Sequence, residues 1–187
     1  MGPLWIGPSW EIPPADAVPL VIEPARAFGT GGHPTTQLCL ELLVELRSEL
    51  GPASVLDVGC GSGVLAVAAA LLGYRPVRAI DADATAVEET RRNAAVNHAS
   101  VEVSLADALA AELPSADVAV ANIARETIEL LAPRLRSRLL VASGYLDTEP
   151  TGLAGFRPLR RRVADGWAAD LYMREDEISA RSRHSRV

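Results

Sequence analysis

The sequence predicts a doubly wound α/β fold, in which helices cover both faces of a parallel sheet that ends in an antiparallel hairpin. Three observations predict this fold. Short apolar runs alternate with helical patterns between residues 35 and 146. The glycine-rich stretch DVGCGSG follows the first of those runs. Near the C-terminal end, Asp165-Gly166 separates two segments of strand-like composition.

The size and composition of the chain limit the classes of protein to consider. Its 187 residues fit one domain, and a formal charge of −6 argues against broad nucleic-acid binding through phosphate contacts. No apolar run is as long as a membrane span, and the N-terminus lacks the basic and apolar regions of an export signal. The two cysteines have neither metal-ligand nor redox spacing, so we expect a cytoplasmic protein without a metal site or membrane contact.

The chain is predicted to divide into three parts. Residues 1–25 are rich in proline and tryptophan, which indicates an extended arm that packs through its aromatic side chains and has little regular structure. Residues 26–174 carry the alternating pattern and form the main domain. Residues 175–187 have little apolar content, so we expect a disordered tail.

The first half of the main domain is predicted to hold a long helix and two strand–helix units. Leucines at helical spacing predict a helix from about Thr35 to Leu50. The apolar run 54–58 then predicts a strand that leads through glycines into a buried helix ended by Gly73. A second strand over 76–81 precedes a helix that Asp83 caps.

The second half continues the alternation and then changes direction. Strands are predicted over 101–105, 116–122 and 138–146, with a helix over 125–137 whose Ile128, Leu131 and Leu135 share one face. The segment DTEPTGLAG after the last of these strands leaves little room for another helix. The turn at Asp165-Gly166 joins the final two strands into a hairpin.

The turn after the first of these strands has the composition of a nucleotide-binding loop. Glycines let a ligand approach the backbone and meet the free amides of a helix N-terminus. Counted from Gly59, the third glycine falls at Gly63 rather than at the sixth position, so the dinucleotide pattern is not met. The chain contains no lysine, which excludes a Walker P-loop. What remains is D-x-G-x-G-x-G, starting at Asp57.

Polar residues end the following strands at the same edge of the sheet, where open α/β folds bind their ligands. Asp81 lies about twenty residues beyond the glycine turn and is placed to accept hydrogen bonds from both ribose hydroxyls of an adenosine ligand. Asp107 either meets an adenine amino group or caps a helix. Asn122 either lies beside the ligand or is a turn residue.

These motifs resemble a known family. The run from Asp57 to Gly63, together with Asp81, resembles the seven-strand, Rossmann-like S-adenosylmethionine-dependent methyltransferases. Within that class, FGTGGHPTT (28–36), DVGCGSGVLAVAA (57–69), AIDADATAV (79–87) and VANI (120–123) together are similar to the PrmA family. Its members are lysine methyltransferases that modify large-subunit ribosomal protein eleven. The resemblance runs from about Trp5 to Met173 and implies the seven-strand class I fold.

The resemblance also implies how a cofactor is held. The first glycine-rich segment would fold over S-adenosylmethionine, with Thr36 in contact with it and Phe28 covering it. A helix start at Thr35-Thr36 suits this, because free hydroxyls and amides there can meet the carboxylate of the cofactor. His33 is expected to pack in its loop rather than to act in catalysis. The candidate cofactor-binding residues are Phe28, Thr36, Asp57, Gly59, Cys60, Gly61, Asp81, Ala82, Asp107, Ala108 and Asn122.

The implied activity is methyl transfer from S-adenosylmethionine to lysine amines, with S-adenosylhomocysteine as product and Asn122 as the catalytic residue that orients the neutral amine. The expected partner is a basic protein, with a ribosomal protein as the leading candidate. The family has a separate N-terminal recognition domain, which we expect to be absent because this sequence begins near the linker that follows it. Two alternatives stay open: a small-molecule or RNA methyltransferase on the same scaffold, and a cofactor-binding module without turnover.

Overall fold

The computed structural model describes residues 4–22 and 31–175. Its strands are β1 (Leu4–Gly7), β2 (Val18–Val21), β3 (Val55–Val58), β4 (Val77–Asp81), β5 (Glu102–Leu105), β6 (Val118–Asn122), β7 (Leu139–Leu146), β8 (Phe156–Ala164) and β9 (Trp167–Arg174). Its helices are α1 (Pro34–Leu50), α2 (Val64–Leu71), α3 (Ala84–Val96) and α4 (Arg125–Leu131), the last followed by a 3-10 turn over Ala132–Arg134.

The main sheet has seven strands in the order β5-β4-β3-β6-β7-β9-β8. The pairs from β5 to β7 are parallel, and β9 is antiparallel to both β7 and β8. The predicted seven-strand, doubly wound sheet with its C-terminal antiparallel hairpin is therefore confirmed. Strand order reverses at β3, because β4 and β6 lie on its two sides.

Alternate residues of the buried strands point into two separate apolar cores. Val55 faces the core that contains α1, α2 and the inner side of α3, whereas its neighbour Leu56 faces the core that contains α4. Strands buried on both faces read as continuous apolar runs, as VAVA in β6 does. The helices thus cover both faces of the sheet, as predicted.

The helix boundaries follow from local capping chemistry. The His33 side chain accepts a hydrogen bond from the Thr35 amide, Pro34 occupies the first turn of α1, and Gly51 ends the helix at a φ of 68°. Asp83 caps α3 by accepting from the Thr85 amide at 2.8 Å, which confirms its predicted role.

The second face of the sheet carries less helix than the pattern predicted. The helix predicted over 125–137 ends at Leu131 and continues as a 3-10 turn, because Pro133 has no amide hydrogen to extend the α-helical ladder. Residues 106–117 and 147–155 cross this face without an α-helix, and Leu113 and Leu153 fill the core in its place. The expectation that DTEPTGLAG holds no helix is confirmed.

The C-terminal hairpin turns at Asp165-Gly166, as predicted. Both residues have positive φ, 51° and 77°, which two-residue hairpin loops of type I′ require. The strand β9 enters the sheet next to β7, and the pairing shifts register between Ser143 and Tyr145. That bulge lies at Gly144, beside the edge of the sheet where the candidate site forms.

The N-terminal arm differs from its prediction. It forms a regular parallel pair, in which β1 aligns with β2 from Leu4↔Val18 to Gly7↔Val21. The arm packs on the core through aliphatic side chains: Leu4 and Leu20 are 5% and 0% exposed, whereas Trp10 is 68% exposed. Asn97 fixes β2 by accepting from the Val21 amide and donating to the Val21 carbonyl, both at 2.7 Å. The described part of the arm is therefore more regular than predicted, and of its two tryptophans Trp5 is half-buried whereas Trp10 is exposed.

Two predictions lie outside the described residues: Phe28, and the tail from residue 176 onward. No helix in the described parts of the chain is long and apolar enough to cross a membrane.

Candidate functional site

The candidate site is a cavity of about 300 Å³ at the carboxyl end of β3, where the strand order reverses. This is the position at which open α/β sheets bind their ligands. The cavity draws its walls from the start of α1, the glycine turn, the start of α2, and the ends of β4 and β6. The lining residues are Thr36, Gly59, Cys60, Gly61, Val64, Leu65, Asp81, Asn122 and Ile123.

The glycine turn holds its shape through backbone hydrogen bonds. The amides of Gly59 and Cys60 both donate to the Ile80 carbonyl, at 2.9 and 3.1 Å. Gly59, Gly61 and Gly63 all have positive φ, between 55° and 80°, so the turn requires glycine at alternate positions. The D-x-G-x-G-x-G spacing is thus explained by the positive φ at every second residue of this turn.

Asp81 lies at the end of β4 with its carboxylate oriented by two backbone amides. Gly61 donates to Oδ2 and Asp83 donates to Oδ1, each at 2.9 Å. A carboxylate has about four lone-pair sites, so each oxygen of Asp81, which lines the cavity, keeps one free acceptor position. The structure therefore presents Asp81 as a fixed double acceptor, which is the arrangement that two ribose hydroxyls need.

Thr36 and Asn122 meet across the cavity from different elements. The Asn122 Nδ2 donates to the Thr36 Oγ1 at 3.3 Å. Thr36 is 1% exposed, and its amide donates to the His33 carbonyl at 3.0 Å. Thr36 in the first turn of α1 and Asn122 at the end of β6 therefore meet at the wall of one cavity. The folding of residues 28–36 over a cofactor stays a prediction.

His33 packs in its loop, as expected. Its Nδ1 lies 2.8 Å from the Thr35 Oγ1 and accepts from the Thr35 amide at 3.3 Å. Its ring meets Trp167 edge to face, with ring centroids 4.9 Å apart. These contacts fix the start of α1 and the first residue of β9 against each other.

Cys60 lines the cavity as an inert thiol. Burial, with the charge of Asp57 second, raises its pKa to about 12. The thiol is therefore neutral near pH 7 and does not compete as a nucleophile.

Asp57 does not line the cavity, although it begins the predicted motif. It is 1% exposed behind the glycine turn, and its Oδ2 accepts from the Ala66 amide at 3.1 Å. Burial raises the pKa of Asp57 to about 7, with the charge of Asp81 adding to the shift. In this structure Asp57 supports the turn and the first turn of α2 from below.

The other predicted cofactor residues, Ala82, Asp107 and Ala108, also lie outside the cavity wall. Asp107 caps the short turn after β5, because its Oδ1 accepts from the Leu109 amide at 2.8 Å. Of the two alternatives for Asp107, the capping one is therefore present. Its Oδ2 has no hydrogen-bond partner among the described residues, so an adenine contact is still open to it.

Two residues on the inner side of α3 support the glycine turn and were missed from the sequence. The Thr90 Oγ1 lies 3.2 Å from the Cys60 Sγ and donates to the Gly61 carbonyl at 3.0 Å. Asn93 donates to the Ser62 carbonyl at 2.8 Å. The sequence pattern that could have indicated this role is a pair of polar residues three positions apart on the buried side of a helix.

Ile123 and Gly144 form a second feature that sequence reasoning missed. The Ile123 amide donates to the Ser143 carbonyl at 3.0 Å, which brings the loop after β6 directly over the bulge in β7. A Cβ built on Gly144, which has a φ of 105°, would lie 2.2 Å from the Ile123 carbonyl oxygen. The close approach of these two backbones therefore requires glycine.

A buried ionic network lies under the β7 side of the site. Asp170 is fully buried and accepts from the Arg161 guanidinium through both oxygens at 2.8 Å, and from the Tyr145 hydroxyl at 2.9 Å. Arg161 also donates to the carbonyls of Asp147 and Glu149, at 3.0 Å each. The network fixes the loop that follows β7.

The described residues contain no group of three or more side chains suited to hold a metal ion. The seven-strand sheet, the glycine turn at the reversal point and an acidic residue ending the next strand define the class I methyltransferase fold.

Comparison with known proteins narrows the class to one family. The model of the family described as ribosomal protein L11 methyltransferase (PrmA) matches residues 1–149, and the chain belongs to this family. A ribosomal protein L11 methyltransferase from Burkholderia ambifaria is 41% identical over 182 residues, which cover 97% of this chain and 56% of that protein. One from Thiobacillus denitrificans is 45% identical over 163 residues, covering 83% of this chain and 53% of that protein.

A solved structure agrees with this assignment. The crystal structure of ribosomal protein L11 methylase from Lactobacillus delbrueckii subsp. bulgaricus superposes with a TM-score of 0.80 at 31% identity, covering 93% of this chain and 96% of that chain. The chain spans about half the length of the curated relatives it matches.

Proposed function

We propose that this chain binds S-adenosylmethionine in the cavity at the end of β3 and transfers its methyl group to lysine amines of a protein substrate. The proposal depends above all on one observation: Thr36, the glycine turn, Asp81 and Asn122 converge on one cavity from four separate elements. Family membership supports the same activity, because the relatives are named as methyltransferases of a ribosomal protein.

The chemistry of the cavity wall fits an adenosyl ligand. Asp81 offers acceptors for two hydroxyl groups, and the glycine turn allows close approach to the backbone. Leu65 and Ile123 give the wall an apolar portion. A few fixed polar groups in an otherwise apolar pocket are typical of cofactor sites.

The residues of the chain act mainly by positioning. When bound, S-adenosylmethionine supplies a methyl group on a sulfonium, which is already activated for displacement. The hydrogen bond from Asn122 to Thr36 holds the amide side chain and leaves its Oδ1 to accept an N–H from a neutral amine. A lysine amine is mostly protonated at pH 7, so turnover draws on the neutral fraction and rises with pH.

We propose a basic protein of the ribosomal L11 type as the substrate. The relatives carry that substrate in their names, and the net charge of −6 favours encounter with a lysine-rich surface. Such steering weakens as salt screens the charges, so the apparent second-order rate should fall with ionic strength. A rate independent of salt would contradict electrostatic steering.

Calorimetry with S-adenosylhomocysteine tests the cofactor site. The wild-type chain should bind this ligand and not a nicotinamide dinucleotide, and Asp81→Ala should lose about tenfold or more in affinity. Asp83→Ala is the matched control, because Asp83 caps α3 and does not line the cavity. Binding of the nicotinamide dinucleotide alone would overturn the proposal.

Methyl transfer is tested with labelled S-adenosylmethionine and purified ribosomal protein L11, total RNA or a cell extract. The chain has no lysine of its own, so any methyl-lysine recovered comes from the added protein. Label in methyl-lysine supports the proposal. Label in RNA or a metabolite would support the alternative substrates, and cofactor binding without any labelled product would indicate a binding module.

A further inference from the structure

Residues 106–111 form a short segment after β5 and lie next to Asp81, the residue proposed to bind the ribose. Leu105 pairs with Asp81 in the register of β5 and β4, and the Ala106 amide donates to the Asp81 carbonyl at 2.9 Å. Asp107 is therefore two residues beyond the partner of Asp81. Residues 106–111 therefore leave the same carboxyl edge of the sheet as Asp81, from the adjacent strand, at the edge where open α/β folds bind their ligands.

This segment packs against the core around α4 through Ala106 and Ala108, but it has few backbone hydrogen bonds to hold its shape. It forms one helical turn, in which the amides of Ala110 and Ala111 donate to the Asp107 carbonyl at 3.0 and 2.8 Å. A single turn of this length is marginal in water without outside contacts. The chain from 106 to 117 contains no α-helix that would hold the turn against the sheet.

Arg134 supplies contacts from another element. From the 3-10 turn after α4, its Nε donates to the Ala108 carbonyl at 3.0 Å and its Nη2 donates to the Ala111 carbonyl at 2.9 Å. Among the described residues, these are the hydrogen bonds that join residues 107–111 to a different element. The guanidinium fork thus satisfies two carbonyls of the turn at once.

We infer that Arg134 is a positioning residue for adenine recognition: by holding the carbonyls of Ala108 and Ala111, it sets Asp107 where Oδ2 accepts the adenine amino group. The inference rests on the proposed function, since it concerns how the same site distinguishes its ligand. Arg134 touches the loop and not the ligand, so its effect is on the selectivity of binding.

The position of Arg134 on the surface makes the inference testable. Both of its hydrogen bonds are exposed, so its removal should change global stability little. Arg136, two residues away, is a matched control: it is exposed and pairs with Glu112 at 2.9 Å, without an observed hydrogen bond to the backbone of 107–111.

The experiment compares two ligands by calorimetry, S-adenosylhomocysteine and S-inosylhomocysteine, in which an oxo group replaces the adenine amino group. The wild type should prefer the adenosyl ligand by about tenfold or more, because an oxo group cannot donate to Asp107. Arg134→Ala should reduce this preference to about two- to threefold, mainly by weakening adenosyl binding. Arg136→Ala should keep the wild-type preference.

A double-mutant cycle with Asp107→Ala completes the test. If Arg134 acts through Asp107, the double variant Arg134→Ala/Asp107→Ala should show the same low preference as Asp107→Ala alone. An Arg134→Ala variant that keeps the wild-type preference would overturn the inference. An equal loss of affinity for both ligands, accompanied by a large fall in Tm, would also overturn it. If the wild type binds neither ligand, the proposed function fails, which is a different result.

Discussion

The Nδ2 of Asn122 donates to the Oγ1 of Thr36 at 3.3 Å, although 86 positions separate the two residues in the chain. This contact joins the first turn of α1, at the end of the first glycine-rich segment, to the last residue of β6. The second glycine-rich segment lies between them, at the end of β3. Thr36, at the end of the first glycine-rich segment, and the glycine turn after β3 therefore line the same cavity.

Replacement of Asn122 should separate turnover from binding. Asn122→Ala removes the proposed acceptor for the amine, so kcat should fall about 100-fold, while affinity for S-adenosylhomocysteine changes by less than about threefold. Steady-state kinetics and calorimetry measure the two quantities.

The hydrogen bond to Thr36 provides the control for this prediction. Thr36→Ser keeps the hydroxyl and should keep most of the turnover, whereas Thr36→Val removes the acceptor and should lower kcat part of the way toward Asn122→Ala. Full turnover by Asn122→Ala would show that the side chain does not orient the amine.

Replacement of Gly144 should damage the site through the backbone. In Gly144→Ala, the new Cβ would lie 2.2 Å from the Ile123 carbonyl oxygen at a φ of 105°, so either the β7 bulge or the loop after β6 must move. We expect a loss of at least about 2 kcal/mol in the free energy of unfolding, measured by urea denaturation, together with loss of turnover.

Gly152 is the matched control for this substitution. A Cβ there would meet nothing within 4 Å, and its φ lies outside the left-handed range. Gly152→Ala should therefore stay within about 0.5 kcal/mol of the wild type. Equal stabilities for the two variants would contradict the close approach at Gly144.

Much of the fold followed from patterns that act locally. Apolar runs predicted the parallel strands, Asp165-Gly166 predicted the hairpin, and Asp83 predicted the start of α3, because capping and turn geometry depend on a few adjacent residues. Among the candidate site residues, Asp81 and Asn122 were predictable because carboxyl ends of parallel strands meet at one edge.

The features that were not predicted depend on contacts between residues distant in sequence. Nothing local to Arg134 indicates that it holds the carbonyls of Ala108 and Ala111, 23 or more positions earlier. Likewise, Asp57 begins the glycine motif, yet its backbone direction in β3 turns the side chain away from the cavity. The pairing of β1 with β2 also escaped prediction, because Asn97 anchors β2 from the far end of α3.

The buried carboxylate of Asp170 should contribute strongly to stability. Asp170→Asn removes a charge that pairs with Arg161 through two hydrogen bonds and leaves that guanidinium partly buried without its partner. Breaking such a buried pair costs about 3–5 kcal/mol in the free energy of unfolding. The exposed pair Arg78–Glu102 is the control: Glu102→Gln should cost less than about 1 kcal/mol. A loss for Asp170→Asn as small as that of the control would show that the network adds little.

Asp57 should give the stability of the protein a distinctive dependence on pH. Its pKa is raised from 3.8 to about 7 in the folded state by burial, so between about pH 4 and pH 7 the folded chain holds a proton that the unfolded chain has released. The stability due to this proton is fully present below pH 4 and is lost as pH rises through 7. The neutral variant Asp57→Asn lacks this loss.

The free energy of unfolding of Asp57→Asn, measured against the wild type by urea denaturation from pH 5 to pH 8, should therefore shift in favour of the variant as pH rises. The slope of the difference should approach, and not exceed, about 1.4 kcal/mol per pH unit, the limit for one proton. Asp83→Asn serves as the control for the substitution itself, because Asp83 is exposed and its cap geometry suits asparagine equally well. Parallel profiles for Asp57→Asn and the wild type would mean that Asp57 is already ionised in the folded protein at pH 5, despite its burial behind the glycine turn.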